Sequence, residues 1–203
     1  MAFSDFKNVE QVFQQYPLQF EQNSFLPNVS LELPEYLRTN IEFALSQKAA
    51  DESEQFFRES LIFPILQEAW KRHPHLKLWV NRALQYDDRL FGAPDYFVAA
   101  NTQGEIIDRF VKKPLLAVAE AKRQDFELGW GQCLAEMIAC QKLSNDERLT
   151  IYGIVTTGSI WEFGKLSEKV FTQDPLPRSI AEAPKVLGAL DFVFAECERQ
   201  LDL

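Results

Sequence analysis

Cysteine and histidine are scarce in this chain of 203 residues, which contains three cysteines and two histidines. Cys133, Cys140 and Cys197 form no CxxC pair, and three cysteines cannot form a complete set of disulfides. Because His73 and His75 lie far from them in the sequence, we do not expect a zinc site. The seven-residue spacing of Cys133 and Cys140 predicts two reduced, packed side chains on one helix.

Long apolar runs and linker-like segments are also missing. No run approaches the roughly 18 to 20 apolar residues that span a bilayer, and residues 1–6 lack the basic and then apolar pattern of a signal peptide. We therefore expect a cytoplasmic location and no membrane partner. Ten prolines and eight glycines are scattered and no repeat is present, so the sequence predicts a single domain over residues 1–203.

Positive charge is in deficit, because 21 Lys and Arg residues oppose 30 Asp and Glu residues, giving a net charge of −9. Such a balance disfavours nucleic acid as a partner over most of the surface, since phosphate binding draws on clustered Lys and Arg. Residues 71–123 are the exception, with ten Lys and Arg against six Asp and Glu. This segment predicts a basic patch, and an uneven but solvated surface is the alternative.

The apolar periodicity predicts an α/β sandwich with a mixed central β-sheet flanked by helices, with extra N- and C-terminal helices. The strand ending at Lys122 is apolar almost throughout, so it is expected at the centre of the sheet. The predicted elements, in order, are a loosely helical extension over 1–45, a helix from Asp51 to about His73 with an interruption at Pro64, strands over 76–81, 95–100 and 114–122 with a turn at 101–104, a helix over 125–143, antiparallel strands over 149–157 and 160–166, and a helix over 184–200.

Charged residues stand at the ends of two of these strands. Pro94-Asp95 begins one strand, and Glu120-Ala121-Lys122 ends the apolar strand, with Glu120 25 positions after Asp95. Residues two apart on a strand point to the same side, so Glu120 and Lys122 share one face. Antiparallel pairing of the two strands would bring Asp95 to the same edge of the sheet.

Carboxylates at one edge suit Mg²⁺ or Mn²⁺. Mg²⁺ prefers oxygen ligands and keeps several waters, so Asp95, Glu120 and the Ala121 carbonyl would suffice as ligands. Such a site stabilises charge on a phosphoryl group and activates a water. Lys122 would orient or deprotonate that water, and acting as a base requires its pKa to fall below the ordinary value of about 10.4. The alternative is a capping Asp95 beside an exposed Glu120–Lys122 ion pair, worth about 0 to 1 kcal/mol.

The sequence over residues 51–166 resembles the PD-(D/E)XK nuclease superfamily, because Pro94-Asp95, a hairpin, an apolar strand, Glu120-Ala121-Lys122 and a helix follow one another in the order of its signature. The resemblance implies a restriction-endonuclease-like core in which the Asp and the Glu bind Mg²⁺ or Mn²⁺ and the Lys takes part in catalysis. It therefore implies a metal-dependent nuclease, acting on DNA in preference to RNA.

The helix that opens this region also carries a resemblance. Glu54-x-x-x-Arg58-x-x-Leu61-Ile62-x-Pro64 is similar to a helix in the nuclease domain of type I restriction enzymes, which implies that Glu54 faces the metal site. Helical periodicity likewise puts Glu54 towards the packed side of the helix. The alternatives are a capping box over Asp51-x-x-Glu54 and an ordinary Glu54–Arg58 pair one turn apart.

Gln132 and Glu136 lie one turn apart on the next helix, on the side away from its predicted apolar stripe. The resemblance implies that Gln132 contacts the metal site or the nucleic acid, whereas Glu136 stands where some relatives have Tyr. Gly129-Trp130-Gly131 would let the backbone approach a phosphate near the start of the helix. The alternative is a solvated polar face.

Lys112, Lys113 and Arg123 are further candidates for contacts with backbone phosphates, again with solvated side chains as the alternative. A rival hypothesis for the whole protein is a catalytically silent nucleic-acid-binding or protein-interaction module with the same fold. The net charge of −9 and the lack of a recognisable helix-turn-helix or zinc motif favour it. A nuclease subunit whose DNA-reading partner is a separate protein, and a homodimer, are left open.

Overall fold

The computed structural model describes residues 2–49, 52–101, 115–122 and 125–201. Among them no helix is long and apolar enough to cross a membrane. The helices are α1 (Val9–Gln15), α2 (Glu35–Gln47), α3 (Glu54–Phe57), α4 (Phe63–Trp70), α5 (Phe126–Ser144) and α6 (Ala183–Arg199), with a π-helical turn over Arg58–Ile62 and 3₁₀ turns over Phe3–Asp5 and Ile180–Glu182. The strands are β1 (Gln19–Gln22), β2 (Leu76–Val80), β3 (Leu84–Gln85), β4 (Phe91–Gly92), β5 (Tyr96–Ala100), β6 (Leu115–Ala121), β7 (Ile151–Thr156), β8 (Ile160–Ser167), β9 (Val170–Gln173) and β10 (Arg178–Ser179).

One eight-stranded sheet runs through the centre, in the order β1-β9-β8-β7-β6-β5-β2, with β10 beside β8. The pairs β6–β7 and β1–β9 are parallel, and the other pairs are antiparallel. The predicted mixed sheet is therefore confirmed. Every residue of β6 and of β7 is buried, as the unbroken apolar run of β6 predicted for a central strand.

Helices cover both faces of the sheet. Helices α2, α4 and α6 and the π-helical turn bury their apolar residues against one face. Helix α5 packs on the other face, and residues 3–13 pack in turn on α5. The predicted α/β class, with helices flanking the sheet and helices near both ends of the chain, is confirmed at this level.

Pro64 interrupts the helix that begins at Glu54, as predicted. Proline has no N–H, so Pro64 cannot donate to the carbonyl four residues earlier. The chain adapts by widening into a π-helical turn, in which the Phe63 N–H donates to the Arg58 carbonyl. The turn ends where α4 begins. Its first residue, Arg58, lies beside the start of β5, where it pairs with Asp95.

The structure corrects one prediction and excludes one alternative. Residues 19–22 were expected within a helical extension, yet they form β1, an exposed edge strand that pairs in parallel with β9. Neither face of β1 is buried, so its four residues lack the alternation of apolar and polar side chains that predicts a strand. For the polar side of α5 a solvated face was the alternative, and it is excluded because residues 129–141 are all buried, between the sheet on one side and residues 3–13 on the other. Most of the turn predicted at 101–104 lies outside the described residues.

The packing of the N-terminal segment on α5 depends on Gly131. A Cβ added there would lie 2.6 Å from the Asn8 backbone nitrogen. Asn8 caps α1, since its side chain accepts the Gln11 N–H at 3.0 Å. The backbone of the cap thus rests directly on the glycine, with no room for a side chain between them.

Replacing Gly131 with Ala tests this contact. Alanine favours a helix by about 1 kcal/mol over glycine, but its Cβ would overlap the Asn8 backbone. We expect a net loss of about 1 to 3 kcal/mol in the free energy of unfolding, measured by urea denaturation. Ser46→Ala, on an exposed position of α2, is the control and should change it by no more than about 0.5 kcal/mol. An unchanged or raised stability of Gly131→Ala would contradict the contact.

Candidate active site

Asp95 and the end of β6 meet at one edge of the sheet. Strands β5 and β6 are antiparallel, with Tyr96 opposite Ala119. Asp95, which directly precedes β5, therefore lies beside the end of β6, and its Oδ2 accepts the Ala121 N–H at 2.9 Å. The predicted antiparallel arrangement is confirmed.

Glu120 and Lys122 lie on the same side of the strand end, as the spacing predicted. Lys122 Nζ is 2.7 Å from Glu120 Oε1, and the two side chains are only 16% and 7% exposed. The Lys122 N–H donates to the Thr156 carbonyl, which ties the end of β6 to β7. The alternative of an exposed ion pair is therefore wrong, because this pair is largely buried.

Arg58 joins the cluster from the π-helical turn. Its Nη1 is 2.8 Å from Asp95 Oδ1. The guanidinium lies over the Tyr96 ring, 5.9 Å from the centroid, and the Tyr96 hydroxyl donates to the Arg58 carbonyl at 3.3 Å. Sequence reasoning missed Arg58 as a site residue, although its position one turn after Glu54 put both on one face of the helix.

Glu54 lies at the edge of the same cluster. It is the first residue of α3, and Ser53 is the N-cap, its side chain accepting the Phe56 N–H at 3.1 Å. Asp51, the first residue of the alternative capping box, lies outside the described residues. Glu54 is close enough to help raise the pKa of both Arg58 and Lys122. Glu54 is therefore near enough to interact with both cations of the site through its charge. The ion pair of Arg58 is with Asp95 and not with Glu54.

Gln132 and Glu136 lie inside the protein, not on a solvated face. Glu136 is 2% exposed and Gln132 8%. Among the described residues, neither Gln132 Oε1 nor Glu136 Oε2 has a hydrogen-bond partner. Burial first, and then the charges of Glu120 and Asp95, raise the pKa of Glu136 well above its ordinary value. Glu136 therefore belongs to the electrostatics of the site, and its surroundings favour the neutral acid over the carboxylate.

The same burial acts on the charges of the ion pair. Burial and the neighbouring Asp95 raise the pKa of Glu120 from 4.5 to about 7, against the opposing effect of Lys122. Burial disfavours the Lys122 ammonium, but the pairing with Glu120 outweighs it and raises the pKa of Lys122. Lys122 is thus an ammonium here, which suits orienting a water or stabilising negative charge and not accepting a proton.

The interpretation of Gly129-Trp130-Gly131 as an approach for a phosphate is wrong. A Cβ on Gly129 would lie 2.5 Å from Val155 Cγ1, and one on Gly131 would meet the Asn8 backbone. The space beside both glycines is filled by the protein's own atoms. These glycines serve close packing of α5 against the sheet on one side and the N-terminal segment on the other.

Lys112, Lys113 and Arg123 lie outside the described residues. Several of the described cations of segment 71–123 already have partners within the fold. Lys71 pairs with Glu68 at 3.0 Å and Arg72 with Asp191 at 2.5 Å. Lys77 and Arg82 lie over tryptophan rings, at 4.7 and 5.4 Å from the centroids of Trp70 and Trp79. Much of the predicted basic excess is therefore engaged in holding the structure together.

The donor atoms at the strand edge fit Mg²⁺ or Mn²⁺. The N–H and C=O of one strand residue point to the same side, so the Ala121 carbonyl faces the side of Asp95, which accepts the Ala121 N–H. Two carboxylates and a carbonyl are the hard oxygen ligands that Mg²⁺ prefers. In the described part of the chain, no group of three or more His, Cys, Asp or Glu side chains is arranged to hold a metal ion. The fit therefore rests on Asp95, Glu120 and the Ala121 carbonyl.

Comparison with models of known protein families finds no match for this chain. Comparison with curated proteins finds no match either. The functional argument is therefore built on the residues themselves, which form a buried cluster of carboxylates and cations at the ends of two paired strands.

The raised pKa of Glu120 predicts a pH-dependent stability. A carboxyl with a higher pKa in the folded chain binds extra protons when folded, so its stabilising effect is complete below the unfolded pKa and is lost as the pH rises. For a pKa raised from 4.5 to about 7, the free energy of unfolding should fall by roughly 3 kcal/mol between pH 4.5 and 7. Glu120→Gln should remove most of this fall.

Urea denaturation in EDTA at several pH values from 4.5 to 8 measures the effect. Glu42→Gln is the matched control, because Glu42 is an exposed residue of α2, and it should keep the pH dependence of the wild type. Parallel pH profiles for the wild type and Glu120→Gln would contradict the raised pKa.

Proposed function

We propose that this protein is a metal-dependent nuclease of the PD-(D/E)XK type that hydrolyses phosphodiester bonds, with DNA as the preferred substrate. The observation that carries the proposal is the hydrogen bond from the Ala121 N–H to Asp95 Oδ2, 2.9 Å long, between residues 26 positions apart. It joins the two halves of the sequence motif at one edge of the sheet. Asp95, Glu120 and the Ala121 carbonyl would hold Mg²⁺ or Mn²⁺.

Each residue of the cluster has a part in the proposed chemistry. When bound, the ion supplies positive charge to the phosphoryl group and makes a water more acidic. The Lys122 ammonium, held by Glu120, orients the attacking water and stabilises the charge that develops on the phosphoryl oxygens. Glu54 adds negative charge near both cations of the site. Gln132, buried with Oε1 unpaired among the described residues, suits a contact on the metal side of the site.

The arrangement of elements supports the same proposal. Strands β5 and β6 form an antiparallel pair that carries the two halves of the motif. Helix α5 follows β6 and leads to β7, which returns parallel to β6. This is the order of hairpin, apolar strand and helix on which the resemblance to the superfamily rests.

One observation favours the rival of a catalytically silent module. Each of the two carboxylates already has a cationic partner, Arg58 for Asp95 and Lys122 for Glu120. A largely buried network of this kind holds a fold together without any ion, since breaking one such pair leaves an uncompensated charge. Under this hypothesis, nucleic acid or a protein partner would bind without being cut.

Plasmid nicking in Mg²⁺ or Mn²⁺ tests the nuclease directly. Asp95→Asn keeps the size of the ligand but removes its charge, and Lys122→Met removes the ammonium but keeps the stem. We expect each to lower the rate at least about 10²-fold, because each removes charge stabilisation in a buried site. The charge-matched controls Glu42→Gln and Lys169→Met, both at exposed positions, should cut at the wild-type rate. Equal rates in all five proteins would sink the proposal.

Calorimetric titration with Mn²⁺ separates the nuclease from the silent module. Under the nuclease hypothesis, the wild type should bind Mn²⁺ and Asp95→Asn should lose this binding. A folded wild type that neither binds Mn²⁺ in this way nor nicks DNA would favour the module.

A further inference from the structure

Arg58 is the cation whose partner is a proposed metal ligand. Its Nη1 lies 2.8 Å from Asp95 Oδ1, and the two side chains are 20% and 13% exposed. The other oxygen of Asp95 accepts the Ala121 N–H, which is part of the strand edge and holds the carboxylate in place. Oδ1 is therefore the oxygen that an ion at Asp95 would approach, and it is already paired with the Arg58 guanidinium.

The backbone of Arg58 is held independently of Asp95. The Arg58 carbonyl accepts the Phe63 N–H, which closes the π-helical turn, and the Tyr96 hydroxyl. The Tyr96 ring also lies beneath the guanidinium. Because these contacts do not involve Asp95, the guanidinium can change its partner while the helix stays where it is.

A divalent cation and a guanidinium compete for the same carboxylate oxygen. At a few ångströms their like charges repel, and the repulsion is stronger in a partly buried site than in water. The guanidinium would then leave Oδ1. A planar, always charged guanidinium with five N–H donors matches the geometry of a phosphate and binds it through two hydrogen bonds.

We propose that Arg58 neutralises Asp95 in the metal-free protein and contacts the substrate phosphodiester when a divalent ion holds Asp95. This inference rests on the proposed nuclease function. It assigns the two cations of the site different tasks, because Lys122 is paired with Glu120 on the same strand, whereas Arg58 reaches Asp95 from the neighbouring helical segment.

Mn²⁺ affinity distinguishes this role from a purely structural one. If Arg58 only positions Asp95, Arg58→Gln weakens Mn²⁺ binding. If Arg58 competes with the ion, Arg58→Gln binds Mn²⁺ about tenfold more tightly than the wild type in calorimetric titration. Arg38→Gln is the matched control, since Arg38 is an exposed arginine paired with Glu35 on α2, and its Mn²⁺ affinity should equal that of the wild type.

Binding of a fluorescent duplex oligonucleotide in Mn²⁺ tests the second half of the inference. The comparison is made in the Lys122→Met background, in which the proposed mechanism slows cutting at least about 10²-fold. Adding Arg58→Gln should weaken binding about tenfold and lower the slope of log affinity against log salt by about one, the loss of one phosphate contact. Arg58→Lys keeps the charge without the planar fork, so it should keep the Mn²⁺ affinity and the salt slope of the parent and lose part of the oligonucleotide affinity.

The outcomes separate this inference from the nuclease proposal. The role of Arg58 is overturned if Arg58→Gln binds Mn²⁺ no more tightly than the wild type. It is also overturned if the substitution leaves the salt slope of oligonucleotide binding unchanged, and both results hold whatever the nicking assay gives. Tighter Mn²⁺ binding and a lower slope in a protein that never nicks DNA uphold Arg58 and overturn the nuclease. Should Arg58→Gln fail to fold, Arg58→Lys decides, because an oligonucleotide affinity equal to that of its parent overturns the role.

Discussion

Charge buried at the end of β6 must be paired, and the arrangement of the site follows from this requirement. Burying an isolated ionised group in a protein interior costs more free energy than the net stability of a typical domain, so buried charges occur with partners. Glu120 follows five buried apolar residues of the central strand and meets Lys122 two positions on. Asp95 is bound at once by the Ala121 N–H and by Arg58. The hydrogen bond to Ala121 and the ion pair with Arg58 therefore join β5, β6 and the π-helical turn at Asp95.

The buried Glu136 imposes a second constraint on the site. Burial, and then the charges of Glu120 and Asp95, raise the pKa of Glu136 well above its ordinary value, against the opposing charge of Lys122. A neutral acid can donate a hydrogen bond where a carboxylate can only accept. Because the raised pKa favours the neutral form, Glu136 can be buried near Asp95 and Glu120 with less charge repulsion than a carboxylate would meet.

Local patterns predicted β2, β5, β6, β7 and β8 and the meeting of Asp95 with Glu120 and Lys122, because a period of two determines which side chains share a face. They left open whether Gln132 and Glu136 are buried, since burial of this part of α5 depends on tertiary contacts with the sheet and, at Gly131, with the N-terminal segment more than a hundred positions away. For the same reason Gly131 was interpreted as open to a phosphate when it contacts Asn8. Helical spacing suggested Glu54 as the partner of Arg58, whereas in the folded chain Arg58 pairs with Asp95. What sequence reasoning missed is contact between segments far apart in the chain.

The balance of charges couples the ion to the substrate. Glu54, Asp95 and Glu120 carry three negative charges when ionised, and Arg58 and Lys122 carry two positive ones, so the metal-free cluster is slightly negative within a chain of net charge −9. A phosphodiester is repelled by such a site. A divalent ion reverses the sign of the cluster, and by linkage the factor by which the ion raises the affinity for the substrate equals the factor by which the substrate raises the affinity for the ion. Under the proposed function, an anionic substrate would be attracted at the site itself, once the ion is bound, and not through a basic surface.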